Sequence, residues 1–134
     1  MEIFSDLMMG MSVALHPANL LYLLVGAFVG MTIGVIPGFG PAAGIALLLP
    51  VTFGMDPVGA VMMLSAIYYG AMYGGSITAI LINTPGDAGS VASTLDGFPL
   101  AQQGRAGPAL VMQAVASFTG GTVGVILITL LAPL

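Results

Sequence analysis

Two short stretches hold the groups able to do chemistry in this chain. The first, Gly34 to Pro50, reads GVIPGFGPAAGIALLLP and sets Pro37, Gly38, Gly40 and Pro41 in the middle of an apolar run that should cross a bilayer. The second, NTPGDAG at 83–89, ends the next long apolar run with Asn83, Thr84, Pro85, Gly86 and Asp87. In hydrocarbon, a backbone N–H or C=O freed from a helix is costly unless protein or a watery cavity satisfies it. Irregular backbone at that depth therefore tends to line the path of a solute. The pattern points to a transporter segment.

The charges narrow what such a path would hold. The acids are Glu2, Asp6, Asp56, Asp87 and Asp96, and the single base is Arg105. A basic cluster cannot grip an anion here, which leaves backbone N–H groups at broken helix ends, helped by the helix dipole. Gly38, Gly40, Asn83, Thr84 and Gly86 are then the groups nearest a solute, with Pro41 and Pro85 inside the same two breaks. Ser76, Thr78, Asn83 and Thr84 offer side-chain oxygens suited to sodium, and Asn83 with Thr84 is the candidate sodium site. Asp87 has two readings, a helix-start carboxylate or a cation or proton carrier. The plainer account of both breaks is packing or hinge motion.

The elements that position these groups are helices in a membrane. Of 134 residues, 58% are apolar and 4% charged, with mean hydropathy +1.12, far from the roughly one-quarter charged content of soluble domains. Residues 3–15 read as a short interfacial helix. His16-Pro17 interrupts it, and Asn19 reads as an N-cap. Apolar segments follow at 20–36, 42–53, 58–82 and 108–131, separated by GMDP at 54–57 and a polar segment at 83–107. Asp56 reads as the cap of a helix starting at Pro57. Gly26, Gly30 and Gly34 form a small-xxx-small stripe for close helix packing. Within the polar segment, a short helix is expected from Ala88 to Leu95, ended by Asp96-Gly97. The fold class is all-α integral membrane, polytopic, with two Gly/Pro-interrupted segments that are broken or re-entrant.

Several functions fall away. One Arg cannot neutralise nucleic-acid phosphates. The absence of cysteine removes disulfides and thiolate sites, and a lone His16 makes no metal centre. Ser76 and Ser90 lack a His base, and GFGPAAG lacks the Lys of a P-loop, so no enzyme is expected and no cofactor beyond a coupling Na+ or H+. The N-terminus begins acidic and shows no small-x-small cleavage site, unlike a signal peptide. Tyr68, Tyr69 and Tyr73, interleaved with glycines, fit a wet solute-facing surface or interhelix hydrogen bonding equally. Arg105 sits in a loop that the positive-inside rule would place in the cytoplasm.

IPGFGP at 36–41, YYGAMYGGS at 68–76, ILINTPG at 80–86, and LDGFP with QGRAG between 95 and 107 are more specific than generic apolar drift. With the residues between them, they resemble the N-terminal region of the large membrane subunit of tripartite tricarboxylate transporters, the TctA family. The resemblance implies a cation-coupled secondary transporter in a bacterial inner membrane. It also implies a small TctB-like membrane subunit and a periplasmic TctC-like binding protein that delivers a di- or tricarboxylate. Family members are several times longer, so the chain is expected to be a truncated portion. The rival readings are a noncatalytic scaffold or assembly subunit, an inactive fragment, and a channel.

Overall fold

The computed structural model describes residues 2–131, with side chains from residue 4 onward. Among them lie six α-helices, one 3-10 helix and no strand: α1 Glu2–Ala14, α2 Pro17–Gly34, α3 Pro41–Leu48, the 3-10 helix Leu49–Gly54, α4 Pro57–Ile82, α5 Val91–Gln102 and α6 Ala106–Leu131. The all-α membrane class holds, since α2, α4 and α6 are each long and apolar enough to cross a bilayer. At about 1.5 Å per residue, the 18 residues of α2 reach about 27 Å and the 26 of α4 about 39 Å.

Local chemistry sets most of the boundaries. Pro17 stands at the first turn of α2, where its missing N–H costs nothing. Asn19 is not the cap: the residue in that position is His16, which makes no side-chain capping bond. Asn19 lies inside α2, buried, and its Nδ2 donates to the Val13 carbonyl at 2.8 Å, tying the end of α1 to α2. Asp56 does cap α4, its Oδ2 accepting from the N–H groups of Val58 at 3.1 Å and Gly59 at 3.2 Å. Pro50 cannot donate the next helical bond, and the chain tightens from α3 into the 3-10 helix around it.

The polar segment departs from expectation. Its helix runs from Val91 to Gln102, so Asp96-Gly97 lies within α5 and does not end it. Gly97 is buried there because a Cβ would sit 2.6 Å from Ile80 Cγ1, and only a bare backbone lets α5 approach α4. Gly104, at φ +75°, ends the helix; the next N–H, of Arg105, bonds back to Leu100 O at 3.0 Å.

The core is the α2–α4 contact. A Cβ on Gly26 would meet Met63 O at 2.6 Å, and Cβ atoms on Gly30 and Gly34 would collide with Ile67 O and Ala71 O. Each four-residue step along α2 thus matches a four-residue step along α4 in the same direction, and the two helices run parallel. Gly70 and Gly74 answer from α4, pressed against the carbonyls of Ala27 and Met31. Between lipid-immersed helices, where no hydrophobic force favours association, such backbone approach supplies the packing.

Parallel helices need a return strand of chain between them. Segment 41–54 is that return: Gly44 packs on Ile33 and Ile67 near the far end of α2, while Gly59, after the return, lies against Tyr22 and Asn19 at its start. Ile67, fully buried, is the residue on which α2, α3 and α4 meet. By contrast α6 has one buried residue, Ala109, and touches α4 and α5 mainly through its first half. Its Thr119, Thr122 and Thr129 hydroxyls donate to carbonyls three or four residues back, satisfying themselves without partners.

Candidate functional site

Because α2 and α4 run parallel, the ends of chain that follow them arrive at the same end of the bundle. The two Gly/Pro stretches meet there. Gly86 is buried against Gly75, with its N–H donating to Gly75 O at 3.3 Å, and a Cβ on it would sit 2.5 Å from Gly75 Cα and 2.7 Å from Gly34 O. A Cβ on Gly40 would come within 3.9 Å of Gly86 O. Glycine is required at Gly86 by contact with two backbones at once.

In the first stretch, Ile36 and Phe39 N–H groups bond to Ile33 O and Ile36 O, forming a turn after α2. Gly38 (φ +80°) and Gly40 (φ +33°) carry the chain through left-handed backbone into Pro41, the first residue of α3. Among the described residues, the N–H groups of Gly38 and Gly40 find no acceptor. Gly38 is exposed, and Gly40 and Pro41 are half-buried.

The second stretch is organised differently. Asn83 stands in the left-handed region at φ 56°, ψ 29°, and both it and Thr84 donate their N–H groups to Thr78 O, closing the end of α4. Asn83 is exposed, and Thr84 Oγ1 donates to Ile82 O at 3.1 Å. Pro85 leads into Gly86. Asp87 does not lie in the first turn of a helix beginning at Ala88: it precedes α5 in a turn of its own. Its Oδ1 accepts from the N–H groups of Gly89 at 2.7 Å and Ser90 at 3.0 Å, while its N–H donates to Ser90 Oγ at 3.2 Å. Asp87 Oδ2 is buried beside Gly75 with no hydrogen-bond partner.

Ser76 and Thr78 sit on α4 one turn from this junction. Thr78 is buried and donates to Gly75 O at 3.0 Å, and Ser76 donates to Met72 O at 3.2 Å. Ser76 faces away from the junction into a cleft between α4, α5 and α6, with Ser93, Asp96, Gln113 and Ser117 among its walls. Residue types alone gave no reason to join those five, which come from three helices. Tyr68 and Tyr69 form an edge-to-face pair at 6.2 Å and are exposed.

The tripartite tricarboxylate transporter TctA family matches residues 20–134. The chain belongs to this family. The family is a transporter component and not an enzyme. The chain is also similar to an uncharacterized 52.8 kDa protein from the TAR-I ttuC' 3' region of Agrobacterium vitis, 49% identical over 133 residues, which are 99% of this chain and 26% of that protein. The chain thus spans about a quarter of that relative's length. No solved structure matches the chain.

Proposed function

We propose that this TctA-family chain forms part of the membrane subunit of a secondary importer in a bacterial inner membrane. It takes up di- or tricarboxylates handed over by a periplasmic binding protein, alongside a small membrane subunit, with a cation gradient as the driving force. The observation that carries this reading is the meeting of the two Gly/Pro stretches at Gly34, Gly75 and Gly86, with the N–H groups of Gly38 and Gly40 unspent beside it. Free N–H donors in front of α3, at the positive end of its dipole, suit a carboxylate that no basic side chain is present to hold. Asn83 and Thr84 at the carbonyl end of α4, with Thr78 behind them, supply oxygens to a coupling cation.

Uptake of a labelled tricarboxylate into vesicles carrying the whole transporter tests the proposal. Gly38→Ala should sharply lower saturable, gradient-dependent uptake while membrane insertion and complex assembly stay normal. Lost assembly in its place would favour a scaffold. Uptake that neither saturates nor follows a cation gradient would favour a channel.

A further inference from the structure

In α1 every described side chain from Phe4 to Val13 is exposed, and the helix is tied to the bundle at its end, where Asn19 Nδ2 donates to Val13 O at 2.8 Å. Phe4, Leu7, Met8 and Met11 recur every three or four residues and share one face of the helix, while Asp6 and Ser12 stand on the other. In water that face would be a continuous apolar stripe, with Phe4 70% and Met8 and Met11 each 50% uncovered.

What covers the stripe follows from the join to α2. Two residues separate Ala14 from Pro17, so the end of α1 is held where α2, a helix able to cross a bilayer, begins. His16 is extended at φ −60°, ψ 135°, and Pro17 has no N–H with which to continue a helix, so α1 and α2 do not form one rod. The 13 residues of α1 reach about 20 Å, too short to cross a core of about 30 Å. A short amphipathic helix fixed at that boundary buries its apolar face among the headgroups and upper acyl chains.

The rest of the fold sets the side of the membrane. α6 runs antiparallel to α4, because Gln113 bonds to Tyr73 O and, further along α6, Ser117, Gly121 and Val125 share a groove with Tyr69. Arg105, just before α6, therefore lies at the end where α4 finishes. α1 lies at the opposite end with Asp56, and that end carries no Lys or Arg. With Arg105 on the cytoplasmic side, as the positive-inside rule has it, α1 is outside. Asp6, without a base beside it in α1, gives anionic headgroups nothing to attract.

We propose that α1 lies flat in the interface of the non-cytoplasmic leaflet, its Phe4, Leu7, Met8 and Met11 face bound to a zwitterionic lipid surface by apolar contact and not by charge. The proposal is independent of the carboxylate site.

Spin labels on single cysteines of the chain in phosphatidylcholine nanodiscs test it, read by relaxation with oxygen, which concentrates in lipid, and with a water-soluble nickel chelate. Labels at Phe4→Cys, Leu7→Cys and Met11→Cys should be severalfold more accessible to oxygen than to the chelate, and Asp6→Cys and Ser12→Cys should show the reverse. Chelate reaching all five positions would put α1 in water, and neither reagent reaching the apolar face would mean that protein covers it; either result overturns the proposal. Replacing part of the lipid with phosphatidylglycerol should not raise the oxygen contrast, and a rise would overturn the contact by apolar surface alone. In spheroplasts carrying the whole transporter, a membrane-impermeant maleimide should label Ser12→Cys and spare Gln103→Cys. Labelling of Gln103→Cys, or of Ser12→Cys only after lysis, overturns the assignment of the leaflet.

Discussion

The two Gly/Pro stretches look alike in sequence and behave differently in the fold. Among the described residues, 35–40 leave the N–H groups of Gly38 and Gly40 without an acceptor, whereas 83–90 spend all of theirs but that of Ala88, on Thr78 O, Gly75 O, Asp87 Oδ1 and Ser90 Oγ. One stretch leaves two donors open; the other bonds mostly to itself and to the end of α4. Composition marks where helical structure stops. It does not say what the freed peptide groups then do.

That contrast can be broken by substitution. The largest effect is expected where both stretches depend on the same backbone contact: Gly34→Val drives a side chain into Ala71 O and should destabilise the bundle by about 3 kcal/mol or more, at the upper end of overpacking costs. Thermal unfolding in detergent would show it. Gly38→Ala is next. Its φ of +80° makes a Cβ cost about 1–2 kcal/mol, yet a Cβ there meets no neighbour, so the chain should fold while uptake falls.

The second stretch should respond to loss of its internal bonds. Asp87→Ala strands the N–H groups of Gly89 and Ser90 and should cost about 0.5–2 kcal/mol, as removal of a capping side chain does. Asp87→Asn keeps an acceptor and should recover most of that stability. If Asp87→Asn also stops uptake, the carboxylate has a role beyond the turn and the contrast between the stretches weakens. The smallest effect sharpens the picture at Asn83: Asn83→Gly should be nearly neutral in thermal unfolding, because glycine accepts the left-handed backbone freely, while Asn83→Ala should cost about 1 kcal/mol. Uptake lost in Asn83→Gly would show that the side chain, not the backbone, is what matters.

The long helices were legible because uncharged runs bounded by proline leave few alternatives. Pro17, Asp56-Pro57 and Arg105 bracket α2, α4 and α6 within a few residues of the expected segments. The interior of the polar segment was not. Asp96-Gly97 has the composition of a turn, but Gly97 is there for contact with Ile80, and α5 continues through Pro99 to a stop at Gly104. Asn19 was misplaced for a related reason: capping preference describes a residue type, while its actual bond reaches back to Val13 in the preceding helix. The glycine stripe at Gly26, Gly30 and Gly34 announced a close partner. A stripe has no direction, and so the parallel run of α2 and α4, which joins the two stretches at one end, came only from the fold. The cleft residues, spread from Ser76 to Ser117, share no spacing that would group them.

Parallel α2 and α4 require segment 41–54 to traverse the bundle and not to turn back within it. The chain contains no cysteine, so single cysteines can be placed on an unreactive background and labelled with a membrane-impermeant thiol reagent from either side. Leu15→Cys and Phe53→Cys should react from one side of the membrane, and Phe39→Cys and Ala88→Cys from the other. Phe39→Cys and Phe53→Cys reacting from the same side would make 41–54 a hairpin, separate the two Gly/Pro stretches, and contradict the account.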